Sequence, residues 1–345
     1  MSRYVYKCNQ CKGEYSARQI ENELVYLCPV CGTAEKKKPL NGVLSIEYDY
    51  NSLKKEVKRD EFLNIYPGKI FEYPYLYPLD YSSKKNGYTF PKISSGELNR
   101  LTLPSNSVIR KNFNGREIYF LDETRNLTYS FKDRASMLVA LKAKQACINQ
   151  ISAASTGNAG SSIAGICSML GMRSKIFVPK NIPEAKRIQI QSYGADIYVV
   201  DGDYDTAFDL CLEVSNKKKW YNRNTAYNPL TIEGKKSAAY DIFIQTGGEI
   251  PDLIFIPAGD GVIISGVYKG FVELLKLGWI EKLPKLIAVQ AEGSCAIVDF
   301  IASGKFEYKP ASTIADSISA GAPRNLFMAA DAVKNSDGSA IAVAD

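Results

Sequence analysis

Short apolar segments that alternate with amphipathic stretches fill this 345-residue sequence from about residue 147 onward. The apolar segments are β-branched and bounded by Gly, Pro or Ser, which is typical of buried strands. Helical patterns separate them, for example Ala207, Leu210, Cys211 and Val214 on one face. Strands that alternate with helices build a mainly parallel sheet covered on both faces, so the predicted fold class is α/β. The predicted strands are residues 147–153, 175–178, 196–200, 253–257 and 286–290.

Length and composition narrow the class of protein further. A chain this long exceeds what one core usually fills, so we expect two globular units and a small appendage. With 46% hydrophobic and 23% charged residues, the composition excludes a disordered chain, collagen and a coiled coil. The absence of histidine excludes Ser-His-Asp and Cys-His catalysis and every histidine-ligated metal site. The net charge of +6 favours solubility and anionic small ligands over nucleic acid.

The first residues contain no apolar leader, and no apolar run approaches the roughly 18 residues that a membrane span needs. We therefore expect a cytoplasmic protein without membrane contact. The stretch from Gly32 to about Phe120 is rich in tyrosine, broken by prolines and without a sustained helical period. We interpret it as a connector that packs against something larger.

Four cysteines near the N-terminus form two Cys-x-x-Cys pairs, Cys8 with Cys11 and Cys28 with Cys31. Each pair can direct two thiolates from one turn, and this spacing predicts a structural zinc ribbon over residues 1–38. Disulfides are the alternative in an oxidising compartment. A four-cysteine site leaves no coordination position open, so the zinc would fold the module and would not catalyse.

The first of three informative turns is Ser130-Phe131-Lys132-Asp133-Arg134, which opens an apolar helix. A lysine in the first turn opposes the helix dipole, so local stability does not explain Lys132. One interpretation is a surface lysine beside Asp133. The other is an amine whose charged form is disfavoured by the dipole and by burial, and which can form a Schiff base.

The second turn, Ser155-Thr156-Gly157-Asn158-Ala159-Gly160-Ser161, follows a predicted strand and opens the next helix. Backbone N–H groups and the positive helix end would bind a carboxylate or a phosphate there. The amide of Asn158 could hydrogen-bond a ring hydroxyl. Glycine-rich turns between strands and helices are common, so this turn alone does not decide the function.

The third turn runs from Ala258 through Gly259-Asp260-Gly261 to Val262-Ile263-Ile264-Ser265 and again leads from a strand into a helix. It offers backbone donors and a hydroxyl for a phosphate. The charge of Asp260 would repel that phosphate unless the side chain points away. A tight turn without a ligand is the alternative.

Together and in this order, the three turns resemble the fold type II pyridoxal-phosphate enzymes, and most closely the threonine synthase family. The resemblance extends from about Ser94 to the last residue, and further matches are Tyr227-Asn228-Pro229, Glu233-Gly234-Lys235 and Gln290-Ala291-Glu292-Gly293. It implies two mainly parallel sheet domains beside a small N-terminal zinc ribbon. The implied domains are 1–38 for the zinc ribbon, 39–133 with 226–345 for the large cofactor-binding domain, and 134–225 for the small domain. It also implies a homodimer.

The resemblance also assigns the site residues, with pyridoxal 5'-phosphate and Zn²⁺ as cofactors. Lys132 would be the catalytic lysine. The cofactor-binding residues would be Lys132, Asn158, Gly259, Asp260, Gly261, Val262, Ile263 and Ser265. The substrate-binding residues would be Ser155, Thr156, Gly157 and Lys235. The metal ligands would be Cys8, Cys11, Cys28 and Cys31, and the candidate cations for an anionic leaving group are Lys186, Arg187, Arg223 and Lys235.

Several positions depart from the usual family sequence. Asn126-Leu127-Thr128-Tyr129 stands where the family usually has Asn-Pro-Thr-Gly, so Tyr129 could crowd the substrate side, and Ala135 replaces a glycine after the lysine motif. The phosphate turn also has fewer Gly and Asn residues than is usual. Thr231 aligns near an arginine that helps to hold the substrate phosphate in some members. Family members also continue beyond Asp345, so we expect this sequence to be a fragment or to lack the residue that faces the pyridine nitrogen.

The resemblance implies a lyase of amino-acid biosynthesis that converts O-phospho-L-homoserine and water to L-threonine and phosphate. One alternative is a related β-eliminating or β-replacing enzyme, such as a serine/threonine ammonia-lyase or an enzyme similar to diaminopropionate or cysteine synthases. Another is a non-catalytic zinc-ribbon protein that binds a partner or nucleic acid. For residues 36–38, three lysines in a row, a solvated linker is favoured over a nucleic-acid contact.

Overall fold

The computed structural model describes residues 3–69, 76–79, 82–84, 87–89, 95–155, 157–202 and 204–345. The chain divides into two compact units. The first comprises Met1–Asp49, Arg223–Lys236 and Pro251–Asp345, and the second comprises Tyr50–Asn222 and Ser237–Ile250. This division into compact units does not test the domain bounds that the resemblance implies, so those bounds remain a prediction.

The strands include all five that the sequence predicts. In chain order they are β1 (Tyr4–Cys8), β2 (Glu14–Ser16), β3 (Leu44–Tyr48), β4 (Ser82–Lys84), β5 (Gly87–Thr89), β6 (Val108–Phe113), β7 (Arg116–Leu121), β8 (Gln150–Ala154), β9 (Arg173–Pro179), β10 (Asp196–Val200), β11 (Tyr221–Asn222), β12 (Leu253–Pro257), β13 (Lys285–Ala291) and β14 (Ser339–Val343).

Helices alternate with the strands from α5 onward. In chain order they are α1 (Ala17–Glu21), α2 (Tyr50–Glu56), α3 (Arg59–Leu63), α4 (Ser95–Arg100), α5 (Lys132–Gln145), α6 (Asn158–Met169), α7 (Glu184–Ser192), α8 (Tyr204–Lys218), α9 (Leu230–Lys235), α10 (Ser237–Gln245), α11 (Val262–Leu277), α12 (Ala296–Ser303) and α13 (Leu326–Asn335). None of these helices combines the length and the hydropathy that crossing a membrane requires.

The second unit contains a parallel sheet of order β10-β9-β8-β11. Ile176 at its centre pairs with Ala153 on one side and with Ile197 on the other. The side chain of Ile176 is fully buried, and such burial contributes roughly 1.5–3 kcal/mol relative to exposure. Helix α5 is buried from Asp133 to Ala143, and this stretch includes the polar residues Asp133, Arg134, Ser136 and Lys142, whose buried side chains require hydrogen-bond partners.

The first unit contains two sheets. The antiparallel sheet has the order β2-β1-β3, with Cys8 as the last residue of β1, and the parallel sheet has the order β12-β13-β14. Strand β12 ends at Pro257, directly before the third informative turn, just as β8 in the second unit ends at Ala154 before the second turn. Both turns therefore follow the carboxyl ends of parallel strands, where α/β sheets bind their ligands.

Two sequence-based expectations need correction. The strand predicted from residue 147 begins at Gln150, because Cys147 has a left-handed backbone (φ 61°) in the turn that ends α5. The described part of the expected connector contains α2, α3, α4 and the β6–β7 hairpin. These helices are five to seven residues long, which is too short for a helical period to be visible in the sequence.

Candidate active site

Lys132 is the first residue of α5 and is half-buried, so its side chain is partly accessible to solvent. Side chains before and after Lys132 stabilise the turn that precedes α5 through hydrogen bonds. The carboxylate of Asp133 accepts hydrogen bonds from the backbone N–H (2.6 Å) and the hydroxyl (2.5 Å) of Thr128. The amide of Asn126 donates to the carbonyl oxygen of Ser130 (3.1 Å). These hydrogen bonds join residues at most five positions apart.

Asp133 also joins α5 to α6. Its carboxylate accepts a hydrogen bond from the hydroxyl of Ser162 (2.6 Å), and the hydroxyl oxygens of Ser162 and Ser136 lie 2.7 Å apart. Ser136 follows Lys132 by four residues, and Ser162 follows Asn158 by four. Lys132 and Asn158 therefore begin two helices that are joined near their N-terminal ends through Asp133, Ser136 and Ser162.

The two charged residues after Lys132 hold the second unit together. Burial raises the pKa of Asp133, and the hydrogen bonds from Ser162 and Thr128 oppose that rise. The guanidinium of Arg134 is buried and forms ion pairs with Glu123 (2.7 Å) and Asp241 (2.5 Å). Removing one partner of such a buried pair would leave an uncompensated charge. Both residues therefore have a structural role.

The turn between β8 and α6 is the predicted carboxylate site. The hydroxyl oxygen of Ser155 accepts a hydrogen bond from the backbone N–H of Gly157 (3.1 Å), and Asn158 begins α6. The first turn of α6 has neither a side-chain cap nor an acidic residue, so its backbone N–H groups favour an anion. The hydroxyl of Ser161 in this turn is buried and has no hydrogen-bond partner among the described residues. Thr156 lies outside them.

The predicted cations differ in their surroundings. Lys186 of α7 lies beside the carboxylate turn, because a Cβ atom built on Gly157 would lie 3.3 Å from its Nζ. The neighbouring Arg187 is exposed. In the first unit, Arg223 is buried and donates a hydrogen bond to the hydroxyl of Thr225 (3.0 Å). Of the two cations in α7, Lys186 is the one next to the predicted site.

The predicted phosphate turn in the first unit needs glycine at two positions. Gly261 precedes α11 with a left-handed backbone (φ 83°), and a Cβ atom there would lie 2.7 Å from the Cβ of Ala329. A Cβ atom at Gly259 would lie 2.8 Å from the Cα of Ile318. The first turn of α11, which begins at Val262, has no side-chain cap and no acidic residue. Its backbone N–H groups are therefore suited to a phosphate.

Two side chains of the phosphate turn bind to the protein itself. The carboxylate of Asp260 accepts a hydrogen bond from the backbone N–H of Arg324 (3.2 Å), and its backbone carbonyl accepts one from the N–H of Asn325 (2.9 Å). The hydroxyl of Ser265 donates to the carbonyl of Gly261 (2.9 Å) and accepts from the amide of Asn325 (2.8 Å). The predicted hydroxyl donor to the cofactor thus gives its hydrogen to the turn in this structure.

Three residues that shape these turns were not predicted from the sequence. Asn325 braces the phosphate turn although it stands at the N-cap of α13, where asparagine usually caps its own helix. The side chain of Gln290 donates a hydrogen bond to the carbonyl of Ala258 (2.9 Å) and accepts one from the N–H of Ile297 (2.8 Å). Asp133 was noted only as the neighbour of Lys132. Asparagine before an apolar helix is a usable signal, but it does not identify the distant partner.

Lys235, the remaining predicted substrate ligand, lies in α9 and is buried. A Cβ atom at Gly266 of α11 would lie 2.6 Å from its Cβ, so α9 and α11 pack closely at this point. The next residue, Lys236, belongs to a buried ion-pair network with Glu233 and Glu273 (2.9 Å to the latter). Glu233, from the same motif as Lys235, therefore has a structural partner.

The N-terminal cysteines converge. The sulfur atoms of Cys8, Cys11, Cys28 and Cys31 all lie within 4.8 Å of one another, with 3.4 Å between Cys8 and Cys31 and 3.6 Å between Cys11 and Cys28. A tetrahedral zinc with Zn–S bonds of about 2.3 Å has S···S edges of about 3.8 Å. In both pairs, the N–H group two residues after the first cysteine donates to its sulfur (3.4 Å). The cluster could hold a metal ion with thiolate preference.

Comparisons with known proteins agree with this geometry. Residues 100–345 match the family described as "Pyridoxal-phosphate dependent enzyme". The chain is 30% identical to the threonine synthase of Methanocaldococcus jannaschii over 98% of this chain and 79% of that protein. It is 30% identical to the threonine synthase of Methanosarcina acetivorans, over 99% and 79%. The chain belongs to the threonine synthase family of pyridoxal-phosphate-dependent enzymes.

Solved structures identify the fold of this threonine synthase family member. Maize serine racemase covers 70% of this chain and 72% of its own, with a TM-score of 0.59 at 20% identity. The predictions of the family, the fold type II architecture and the pyridoxal-phosphate cofactor are confirmed.

The residues present fit the cofactor chemically. A phosphate requires hydrogen-bond donors without a competing carboxylate. The carboxylate of Asp260 accepts from the N–H of Arg324, and no side chain caps the first turn of α11. A covalent anchor requires an amine that is accessible yet partly shielded from water, and Lys132 is half-buried at the start of α5. The first unit meets the condition for the phosphate, and the second unit meets the condition for the anchor.

Three of the positions that depart from the family sequence differ in their surroundings. Tyr129 has a left-handed backbone (φ 64°), and its side chain is 70% exposed, so it extends toward solvent. Ala135 is fully buried in α5. Thr231 is buried, and its hydroxyl donates to the carbonyl of Asn228 (2.7 Å), which fixes the turn before α9.

Proposed function

We propose that this protein is a threonine synthase that converts O-phospho-L-homoserine and water to L-threonine and inorganic phosphate. The observation that carries the proposal is the similarity to two threonine synthases over at least 98% of the chain. The intact first turns of α5 and α6, with Lys132 and Asn158 at their starts, support it.

In the second unit, Lys132 would be the covalent anchor of the cofactor and the catalytic base. Asn158 would hydrogen-bond the pyridine ring at its hydroxyl. Ser155, Thr156 and Gly157 would bind the substrate carboxylate. Anion binding by uncapped N–H groups at the start of a helix supports this assignment of the carboxylate.

In the first unit, residues 259–265 would bind the cofactor phosphate. Gly259, Gly261 and the N–H groups of Val262 and Ile263 would supply the contact surface and the donors. Asp260 and Ser265 would hold the turn in shape through their contacts with residues 324 and 325. Lys235 would contribute to substrate binding.

Pyridoxal phosphate, when bound, supplies an aldehyde that condenses with amines and a ring that withdraws electrons from the α-carbon of the substrate. As a neutral amine, Lys132 accepts the α-proton at Nζ, which a chain without histidine can achieve with one lysine. Binding of the α-carboxylate at the start of α6 orients the bond to that proton. Lys186 attracts the γ-phosphate as it leaves, before water adds at the β-carbon.

The four cysteines would bind one structural Zn²⁺. Thiolate sulfurs accepting backbone N–H bonds are typical of such sites, and a filled four-sulfur shell leaves no position for a substrate. The protein would act in the cytoplasm, where cysteines stay reduced, and as a homodimer.

The experiment is to measure phosphate release from O-phospho-L-homoserine with the purified holoenzyme and to identify L-threonine as the product. Ammonia release from L-serine and L-threonine, measured in parallel, tests the related ammonia-lyase activity. Predominant phosphate release supports the proposal, whereas ammonia release without phosphate release contradicts it. A protein that binds pyridoxal phosphate and catalyses neither reaction would favour a non-catalytic role.

A further inference from the structure

Arg324 connects two parts of the first unit that the chain separates widely. It lies between Pro323 and the N-cap of α13, and its side chain is only 2% exposed. The guanidinium donates hydrogen bonds to the carbonyl oxygens of Glu35 (3.2 Å) and Lys38 (3.1 Å). Its own carbonyl accepts one from the N–H of Leu40 (3.1 Å). The segment after the second cysteine pair is therefore bound to Arg324 at three points.

The opposite side of the same dipeptide holds the phosphate turn. The backbone N–H of Arg324 donates to the carboxylate of Asp260, and Asn325 binds both the carbonyl of Asp260 and the hydroxyl of Ser265. Ser265 in turn donates to Gly261, the N-cap of α11. A displacement of Arg324 would thus be transmitted to the first turn of α11.

An apolar cluster connects the same two parts. Leu40 and Val43 of the N-terminal segment pack with Ile232 of α9 and with Val262, the first residue of α11. All four side chains are at most 2% exposed. Close-packed interiors transmit displacements rather than absorb them. The N-terminal segment therefore supports the start of α11 through packing as well as through Arg324.

The position of that segment depends on the cysteines. The N–H of Cys28 donates to the carbonyl of Gly42 (2.7 Å), and Thr33 pairs with Asn41 across a short bridge. Four thiolates in one cluster repel one another unless a cation compensates their charge, so we expect loss of a bound metal to loosen the second cysteine pair. The residues that Arg324 contacts, 35–40, lie between these two attachments.

We propose that Arg324 is a positioning residue through which the metal-bound cysteine module holds the phosphate turn of the cofactor. Metal binding then raises the affinity for pyridoxal phosphate without any contact between the two. This inference rests on the proposed roles of residues 259–265 and of the four cysteines, and cofactor affinity tests it.

The test measures the dissociation constant for pyridoxal phosphate, by titration of its absorbance in phosphate-free buffer, for the wild type and for Arg324→Met and Arg324→Lys. We expect about tenfold weaker binding for Arg324→Met, because two charge-assisted hydrogen bonds are lost. We expect a smaller effect for Arg324→Lys, which keeps one donor. Arg110→Met, which removes an exposed arginine from the β6–β7 hairpin, is the matched control and should bind as the wild type does.

Two further measurements separate positioning from general damage. At saturating pyridoxal phosphate, Arg324→Met should recover the wild-type absorption band and a kcat within about twofold, since only affinity depends on the turn. Removing the metal with a chelator should weaken cofactor binding of the wild type by a similar factor, and that of Arg324→Met by less, because both changes break the same connection.

Equal cofactor affinity of the wild type with and without metal, or strictly additive effects of chelation and Arg324→Met, would overturn the inference. If Arg324→Met does not fold, the same comparison with Arg324→Lys decides. A metal-loaded wild type that binds no pyridoxal phosphate would instead overturn the proposed function, and this inference with it.

Discussion

The starts of α5 and α11 are both helix ends without a side-chain cap, yet they are held in opposite ways. The start of α5 is fixed by Asp133, which accepts two hydrogen bonds from Thr128, five residues away, and one from Ser162, 29 residues away. The start of α11 is fixed by Asp260 and Ser265, whose partners are 64 and 60 residues away. The comparison teaches that a covalent anchor can be built locally, whereas the phosphate turn depends on the rest of its unit.

The largest expected effect is that of replacing Lys132 at the start of α5. Lys132→Ala should lower kcat for phosphate release by at least about 1,000-fold, because one amine serves as anchor and as base. The far-ultraviolet circular dichroism should be unchanged. Lys144→Ala, in the last turn of the same helix, is the control and should keep its activity. An active Lys132→Ala variant would show that the chemistry lies elsewhere.

The second prediction tests whether the local contacts really fix the start of α5. Asp133→Ala removes the acceptor of three hydrogen bonds and leaves buried donors on Thr128 and Ser162. We expect a loss of about 3 kcal/mol in the free energy of unfolding, measured with urea. Asp133→Asn, which keeps an acceptor oxygen, should lose less. Equal losses for both variants would mean that the charge, and not the acceptor, matters.

The third prediction compares the two ends of α11. Gly261 and Gly278 both have left-handed backbones, but a Cβ atom at Gly278 would meet nothing within 4 Å, whereas at Gly261 it would meet Ala329 at 2.7 Å. Gly278→Ala should cost about 1 kcal/mol of stability from backbone strain alone. Gly261→Ala should cost about 1 kcal/mol more and weaken cofactor binding. Equal thermal stabilities of the two variants would contradict the tight packing at Gly261.

The smallest expected effect is that of replacing Asn325, which binds the phosphate turn from 60 residues away in the sequence. Asn325→Ala removes the donor to Ser265, a neutral hydrogen bond worth about 1 kcal/mol in the free energy of unfolding. Cofactor affinity should fall by a few fold, measured by absorbance titration. Asn335→Ala, at the other end of α13, serves as control. A larger change in affinity than in stability would sharpen the contrast between the two helix starts, whereas an unchanged affinity would contradict a role for this brace.

Much of the fold could be predicted because its signals are local. Runs such as residues 175–178 show β-branched residues between breakers, and the strand found there is β9. The cysteine spacing predicted a convergent cluster for the same reason, since two short turns suffice to build it. The helices α2 and α3 escaped prediction because they are too short to display a period.

The features of the candidate site also divide into those set by neighbouring residues and those set by distant contacts. The sequence by itself determined the α/β class, the lysine at the start of α5, the two glycine-rich turns and the cysteine cluster, because residues close in sequence decide each of them. Only the tertiary structure decided that Asp260 turns its charge to the N–H of Arg324, that Ser265 braces its own turn, and that Arg324 joins the cysteine module to that turn. The contacts of Asp260, Ser265 and Arg324 with distant partners join residues at least 60 positions apart in the sequence. A local sequence pattern cannot predict them, because folding decides which distant group comes within hydrogen-bonding distance.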